Sequence, residues 1–468
     1  MPLIIGAKSA AAEAHTVDNS CRFNDDDSSQ LQVTNGTATD NQKWTCSFWI
    51  KVGRGAVGVA GCLMAAKSGS PYFYLYIDDV YRINFYGQDK DGSNDVAYVT
   101  NRLFRDPSAW YHIVAAMDST LAAAGDRFRI YVNGVEETSF STETDPTQNK
   151  IYPINYTGFA VNVASRDDDV NPYDGYMAEV CLIDGQQLTP SSFGEFDSSS
   201  PTIWKPKDPS ELTFGNNGFY LDFEDSADLG ADVSGNSNDL TVTNLDATDQ
   251  ATDTPTNNFC TLNPLWEHGS STVSDGNLIF TGASGATGNT NAIGSLGATK
   301  GKWYYEAKRV AGYSAYPFMG VCDSEGPMGD YVGASAYSWG ILMDGGNNGK
   351  WRHDGSMSTA DLGTFANGDI GMVAFDMDNG KIWFGINGTW GDSGDPSAGT
   401  GEQYSNLTGT IIPAVSIFDH RSIISVNFGN PPYANSSDAA DADGYGAFEY
   451  TVPTGFYALC TKNLAEYG

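Results

Sequence analysis

Basic residues are scarce in this chain: 25 Lys and Arg stand against 58 Asp and Glu, a formal net charge of -33. A phosphate backbone or an anionic membrane surface would be repelled at moderate salt, which sets nucleic acid aside as a partner. No apolar run approaches the ~20 residues that span a bilayer, so membrane insertion is not expected. The opening Met1-Pro2-Leu3-Ile4-Ile5-Gly6 lacks a basic stretch and is too short in apolar residues for a secretory signal. Paired-cysteine motifs are missing as well. The seven cysteines, Cys21, Cys46, Cys62, Cys181, Cys260, Cys322 and Cys460, are odd in number and scattered. They are expected as reduced core thiols of a chain that folds in a reducing cytoplasm. Long helical periodicity is rare, and no H-E-x-x-H or Cys/His cluster points to zinc.

What is abundant is turn and strand material: 53 Gly, 25 Tyr, 23 Phe and 10 Trp among many Asn, Asp, Ser and Thr. This composition suits short antiparallel strands joined by tight turns, and 468 residues exceed one ordinary core. We therefore expect an all-β protein of two antiparallel β-sandwich, jelly-roll-like domains in tandem. The boundaries read as an N-terminal arm over 1–17, a first sandwich over 18–200 and a linker with one extra strand over 201–262. A second sandwich follows over 263–433, with a C-terminal tail over 434–468. Strands are predicted at 44–50, 110–117, 127–132 and 173–183, with a hairpin at Asn133-Gly134. In the second half they are predicted at 301–307, 318–322, 412–417 and 424–429, with a hairpin turned by Asn379-Gly380.

In the first half the Trp44–Ile50 strand is followed by W-Y-H-I (110–113), I-Y-V-N-G (130–134) and D-G-Y-M-A-E-V (174–180). That ordered set resembles the laminin-G, concanavalin-like sandwich family, which implies a binding platform without naming its ligand. In the second half G-K-W-Y-Y-E (301–306) precedes G-D-I-G-M-V-A-F-D-M-D-N-G-K-I-W-F (368–384), P-A-V-S (413–416) and V-N-F-G (426–429). This order resembles SPRY domains, which implies loops at one sandwich edge that grip peptides or other ligands, and no catalytic machinery. The opening M-P-L-I-I-G-A, the stretch G-N-N-G-F-Y-L-D-F-E-D (215–225) and the ending P-T-G-F-Y-A-L-C-T-K-N-L (453–464) resemble structural proteins of tailed bacteriophages, particularly marine ones. That resemblance implies a virion component, a tail fibre or a head decoration, assembled in the bacterial host cytoplasm.

Candidate sites follow from residue chemistry. Sugar rings stack a C–H face on Trp or Tyr while their hydroxyls bond polar side chains. Tyr313, Tyr316, Tyr337, Trp339, Trp351 and Trp390, placed in loops of the second domain, are the candidate ligand-binding residues. Trp303 and Trp383 fall within strand patterns and are expected in the core. Asp25, Asp26, Asp27, Asp167, Asp168 and Asp169 form two loop runs able to gather oxygen ligands around calcium, although neither has a defined calcium-loop spacing. Gly391-Asp392-Ser393-Gly394-Asp395-Pro396 is similar to a serine-protease nucleophile segment, but Asp395 stands where a glycine is required, and a turn is expected. No E-x-D-x-x-E strand pairs acids for glycoside hydrolysis. The sequence thus suggests a non-enzymatic protein that binds host-surface glycan or protein, contacts other virion proteins and forms a homo-oligomer. A polysaccharide depolymerase and a purely structural packing protein are the alternatives at this stage.

Overall fold

In a computed structural model the described residues are 15–53, 61–67, 70–93, 95–166, 171–268, 271–282, 287–311, 316–324, 330–344, 349–419 and 422–468. The chain divides into two units at Thr256/Asn257. Each is built of antiparallel sheets, and the one α-helix among the described residues is Thr461–Tyr467. The all-β, two-sandwich expectation is met.

In the first unit one sheet runs in the order Val135–Glu136, Phe128–Val132, Trp110–Asp118, Lys43–Val52, Gly175–Asp184, Ser20–Phe23, Gln250–Ala251. The other runs Phe140–Thr144, Asp95–Thr100, Ile83–Gln88, Tyr72–Ile77, Gly61–Lys67, Ala160–Val163, Gln30–Thr34, Thr241–Thr243. Alternation of side chains sends one row from each sheet inward. Trp44 of the first sheet meets Phe73 of the second edge to face, with ring centroids 5.2 Å apart. Phe85 and Phe128 close the same layer at 4.0 Å. The Asn133-Gly134 hairpin forms as its sequence predicts, both residues adopting positive φ (48° and 78°), which matches the twist of the flanking strands.

The expected linker is not one. Phe219–Leu221 pairs with Gly175–Asp184, Thr241–Thr243 with Gln30–Thr34, and Gln250–Ala251 with Ser20–Phe23. Residues 201–256 are therefore part of the first sandwich, and the boundary lies near 256. The Asp, Asn and Ser residues that suggested an unstructured stretch instead fold its turns. The Asp232 carboxylate accepts from the backbone N–H groups of Tyr220, Ser234 and Asn238 at 2.8–2.9 Å. Asp253 is fully buried as the counter-ion of Lys51 at 2.5 Å, and also accepts from Trp110 Nε1 at 3.0 Å. The described end of the arm is anchored in this unit too, where Val17 exchanges two hydrogen bonds with the Thr256 hydroxyl.

The second unit stacks the sheet Leu262–His268, Thr287–Gly294, Ile411–Asp419, Pro317–Asp323, Ser338–Leu342, Trp351–His353, Ser356–Met357 on a second sheet. That sheet runs Ser271–Ser274, Ile279–Gly282, Ile423–Asn427, Lys302–Ala311, Ile370–Asp376, Lys381–Ile386, Thr389–Trp390. Its core holds Trp303, Met319, Trp339, Ile341, Val373 and Phe384, and Trp303 and Trp383 are both fully buried. The expected C-terminal tail packs into this unit. Tyr457–Ala458 adds a parallel strand beside Lys302–Ala311, and Asp441 accepts from Ala458 N and Asn463 Nδ2 at 2.9 and 2.8 Å. All seven cysteines are buried thiols.

Candidate functional site

A serine–histidine contact exists in the first unit, and its geometry decides what it can do. Ser47 and His112 are diagonal neighbours on the paired Lys43–Val52 and Trp110–Asp118 strands, Ser47 opposite Val114 and His112 opposite Trp49, with Oγ and Nε2 2.9 Å apart. Trp204 Nε1, which can only donate, points at His112 Nδ1 at 3.0 Å. Nδ1 is therefore the acceptor, Nε2 carries the proton, and His112 donates to Ser47 rather than receiving its proton. Burial pushes the His112 pKa down to about 3, and the ring is stacked on Trp49 at 4.8 Å and on Trp204 at 5.9 Å. This is a packing element, with the wrong tautomer for a general base.

The protease-like string is a turn, as expected: Gly394 N donates to Gly391 O at 2.8 Å across Asp392 and Ser393, both of which have positive φ. His15 bonds Glu179, and His353 bonds Ser338 O and Asn406, so neither serves Ser393. Of the calcium candidates, Asp167, Asp168 and Asp169 lie outside the described residues. Asp27 uses its carboxylate to accept from Ser29 N in its own turn, and Asp26 donates its backbone N–H to Asn24 Oδ1. Among the described residues no three His, Cys, Asp or Glu side chains converge on a metal-sized position.

The six aromatic candidates separate sharply. Tyr313 lies outside the described residues. Trp339 and Trp351 are buried strand residues, not loop residues: Trp351 sits opposite Ile341 in the ladder, and Ile341 faces the core, so register carries both tryptophans inward. Trp339 is further held by stacking on His353 at 4.8 Å and by donating to Asn406 Oδ1 at 2.9 Å. Trp390 is half-buried against Tyr304, centroids 6.3 Å apart. Tyr337 is exposed and lines neither concavity described below.

Tyr316 is exposed and lines a concavity of about 230 Å³ with Asn289, Phe318, Tyr331 and Arg352. Phe318 and Tyr331 stack at 4.9 Å, and the Arg352 guanidinium lies over both rings, 5.8 and 5.1 Å from their centroids. Its Nη1 donates to Tyr331 Oη at 2.7 Å.

A larger concavity, about 460 Å³, lies in the first unit and is lined by Cys62, Tyr72, Tyr74, Tyr76, Tyr86, Arg166 and Asn171. It is a product of strand alternation. In Tyr72–Ile77 the residues Phe73, Leu75 and Ile77 are buried in the inter-sheet core, so Tyr72, Tyr74 and Tyr76 emerge together on the outer face. Tyr86 enters from the neighbouring strand, opposite Tyr74. Tyr72 stacks on Tyr74 at 4.7 Å, Tyr76 on Tyr86 at 6.1 Å, and the Arg166 guanidinium lies 4.8 Å from the Tyr74 ring centre. The three tyrosines alternate along ~14 Å of strand, and because Tyr72 and Tyr74 stack on each other the strip is a row of packed rings rather than a flat platform. Burial, aided by Tyr86 and Asp78, pushes the Tyr76 phenol up to about 12, which keeps it a neutral hydrogen-bond donor. The sequence carried the signal for this strip in the strict alternation Y-F-Y-L-Y-I, which the selection of loop aromatics passed over.

Residues 25–191 match the family model described as the concanavalin A-like lectin/glucanases superfamily. The first sandwich is similar to that family. Among solved structures the SPRY domain of human HERC1 is 18% identical, covering 35% of this chain and 96% of its own, with a TM-score of 0.28. The TRIM65 PSpry domain is 14% identical over 36% of this chain and 91% of its own, with a TM-score of 0.29. A native heptameric SAP-like pentraxin from Limulus polyphemus is 14% identical over 38% and 80%, with a TM-score of 0.28. No curated protein matches the chain in sequence.

Because the family description spans both lectins and glucanases, the placement of carboxylates matters. Glycoside hydrolysis needs two carboxyl groups about 5–9 Å apart across a sugar site. Among the described residues neither concavity is lined by Asp or Glu. The buried Glu179 occupies a bulge with φ 52° in the Gly175–Asp184 strand, where it accepts from Tyr220 Oη at 2.9 Å and meets His15 Nε2 at 3.1 Å. Burial raises its pKa while His15 opposes the rise, and the Glu179 carboxylate in turn raises the pKa of His15. Glu306 is enclosed in the other unit by four donors. Each acid is committed to internal partners.

Proposed function

We propose that this protein is a virion component of a tailed phage, a tail fibre or head decoration, that holds host-surface glycan non-covalently on the tyrosine strip of its first sandwich. The observation that carries the binding reading is the alignment of Tyr72, Tyr74 and Tyr76 with Tyr86, Arg166 and Asn171 around one open concavity. Its clustered rings offer apolar surface to the C–H groups of a sugar, and its phenols and amide can exchange hydrogen bonds with the hydroxyls. The volume falls in the range of small-molecule sites, about 300–1,000 Å³. The match to lectins and glucanases supports a sugar. The virion reading rests on the three phage-like segments, together with the buried thiols and the excess of acidic residues. Other virion proteins are the expected neighbours, and assembly into a homo-oligomer would multiply weak contacts.

The test is a glycan array of bacterial surface polysaccharides probed with the wild-type protein and with the Tyr74→Ala/Tyr76→Ala variant. Each aromatic stack contributes about 0.5–1.5 kcal/mol beyond buried area, so removing two should weaken binding by roughly tenfold or more. A flat array, or binding that the double substitution leaves unchanged, overturns the site. Release of shortened sugar from a bound polysaccharide overturns the non-enzymatic reading.

A further inference from the structure

Among its described residues the second unit carries a guanidinium with no carboxylate beside it. Four arginines pair with some of the chain's 58 acidic residues: Arg22 meets Asp249, Arg82 meets Asp78, Arg102 meets Glu137, and Arg129 meets both Asp126 and Glu136, whereas Arg127 is held by the carbonyls of Leu121, Ala122 and Pro146. Arg352 has none within ion-pair distance among the described residues. Its Nη1 is bonded to the Tyr331 phenol, its Nη2 makes only a 3.5 Å contact with the Met357 sulfur, and its Nε is buried without an acceptor. Desolvated N–H groups left unanswered cost free energy, and a charge-assisted bond from an anion is the strongest compensation open to a guanidinium. Phe318 and Tyr331 hold this cation against one wall of the 230 Å³ concavity, while exposed Tyr316 forms another.

We infer that the Tyr316–Phe318–Tyr331–Arg352 concavity is a second binding site, which takes a single carboxylate-bearing sugar ring. The carboxylate would meet Arg352, the ring would lie against the aromatic walls, and its hydroxyls would reach the polar edge at Asn289, whose amide now donates to Asp330. The backbone disfavours an extended peptide here. Pro317–Asp323 is paired on both sides, by Ser338–Leu342 and by Ile411–Asp419, so no open ladder is offered for strand addition. The space suits one ring rather than a helix. This site lies in the other unit from the tyrosine strip and uses different residues, so either can fail without the other.

The experiment is calorimetric titration of the full chain with a panel of carboxylated sugars, namely galacturonate, glucuronate and mannuronate trimers and a sialyl trisaccharide, each beside its methyl ester. At least one acid should bind ten times or more tighter than its ester, and added salt should weaken the acid alone. Arg352→Gln should erase that preference, and Tyr316→Ala, which alters an exposed side chain, should weaken acid and ester together. Tyr74→Ala/Tyr76→Ala should leave the preference intact. Thermal unfolding of each variant establishes that it is folded; if Arg352→Gln is not, the acid-to-ester ratio, its salt dependence and Tyr316→Ala decide. Equal binding of acid and ester, no binding by any of the panel, or a preference that survives Arg352→Gln overturns the proposal. Tighter binding of an acidic peptide than of every sugar would overturn it in favour of a protein partner.

Discussion

Glu306 should give the second unit a stability that falls as pH rises from about 4.5 to about 7. Its side chain is fully buried on the Lys302–Ala311 strand. One carboxylate oxygen accepts from Tyr304 Oη at 2.8 Å and Tyr450 N at 2.9 Å, the other from Glu449 N at 3.0 Å and Asn427 Nδ2 at 3.3 Å. These donors favour the ionised form, but burial outweighs them and raises the pKa from 4.5 to about 7. Because the folded pKa lies above the unfolded one, the folded state binds the extra proton. Stability from this group is complete below pH 4.5, falls between 4.5 and 7, and is level above that. The rise corresponds to about 3 kcal/mol, which in a unit of this size is roughly 6–12 °C in Tm. Scanning calorimetry from pH 4.5 to 8 on wild type and Glu306→Gln would measure it. The variant should lack this component of the slope, so its deficit against wild type, about 1–3 kcal/mol above pH 7 where the amide N–H₂ confronts groups that also donate, should widen by about 3 kcal/mol toward pH 4.5. Parallel pH profiles for the two proteins would refute the reasoning.

Two further outcomes test the architecture. Asp253→Ala strands the fully buried Lys51 ammonium and should destabilise the first unit by about 3–5 kcal/mol in urea unfolding; a loss under 1 kcal/mol would mean that residues near 253 are not integral to that unit. Gly134→Ala forces a side chain into a φ of 78° with its Cβ driven against the Trp204 ring. It should cost about 1–2 kcal/mol for the backbone and about 1–3 more for overpacking, read from the same denaturation midpoint.

The parts of this molecule that were legible in its sequence are those fixed by local rules. Asn133-Gly134 specifies its own hairpin because few other pairs tolerate two positive φ values, and the adjoining apolar runs have nowhere to go but into a ladder. Residues 201–256 misled for a related reason: Asp, Asn and Ser are read as solvated, yet Asp232 folds a turn by bonding backbone N–H groups, and Asp253 is buried because Lys51 waits across the sheet. No local pattern announces that pairing. Trp351 followed the same logic in the opposite direction. Among Gly and Asn it looks like a surface ring, but its position opposite Ile341 decides its face, and register is a property of two strands. The tyrosine strip needed only one strand, since alternation alone puts Tyr72, Tyr74 and Tyr76 on the side that Phe73, Leu75 and Ile77 leave. Arg352 was beyond reach, because its interest lies in the lack of a carboxylate beside it among the described residues of a chain rich in them. Only three-dimensional placement shows a guanidinium set against two rings with its Nε unanswered.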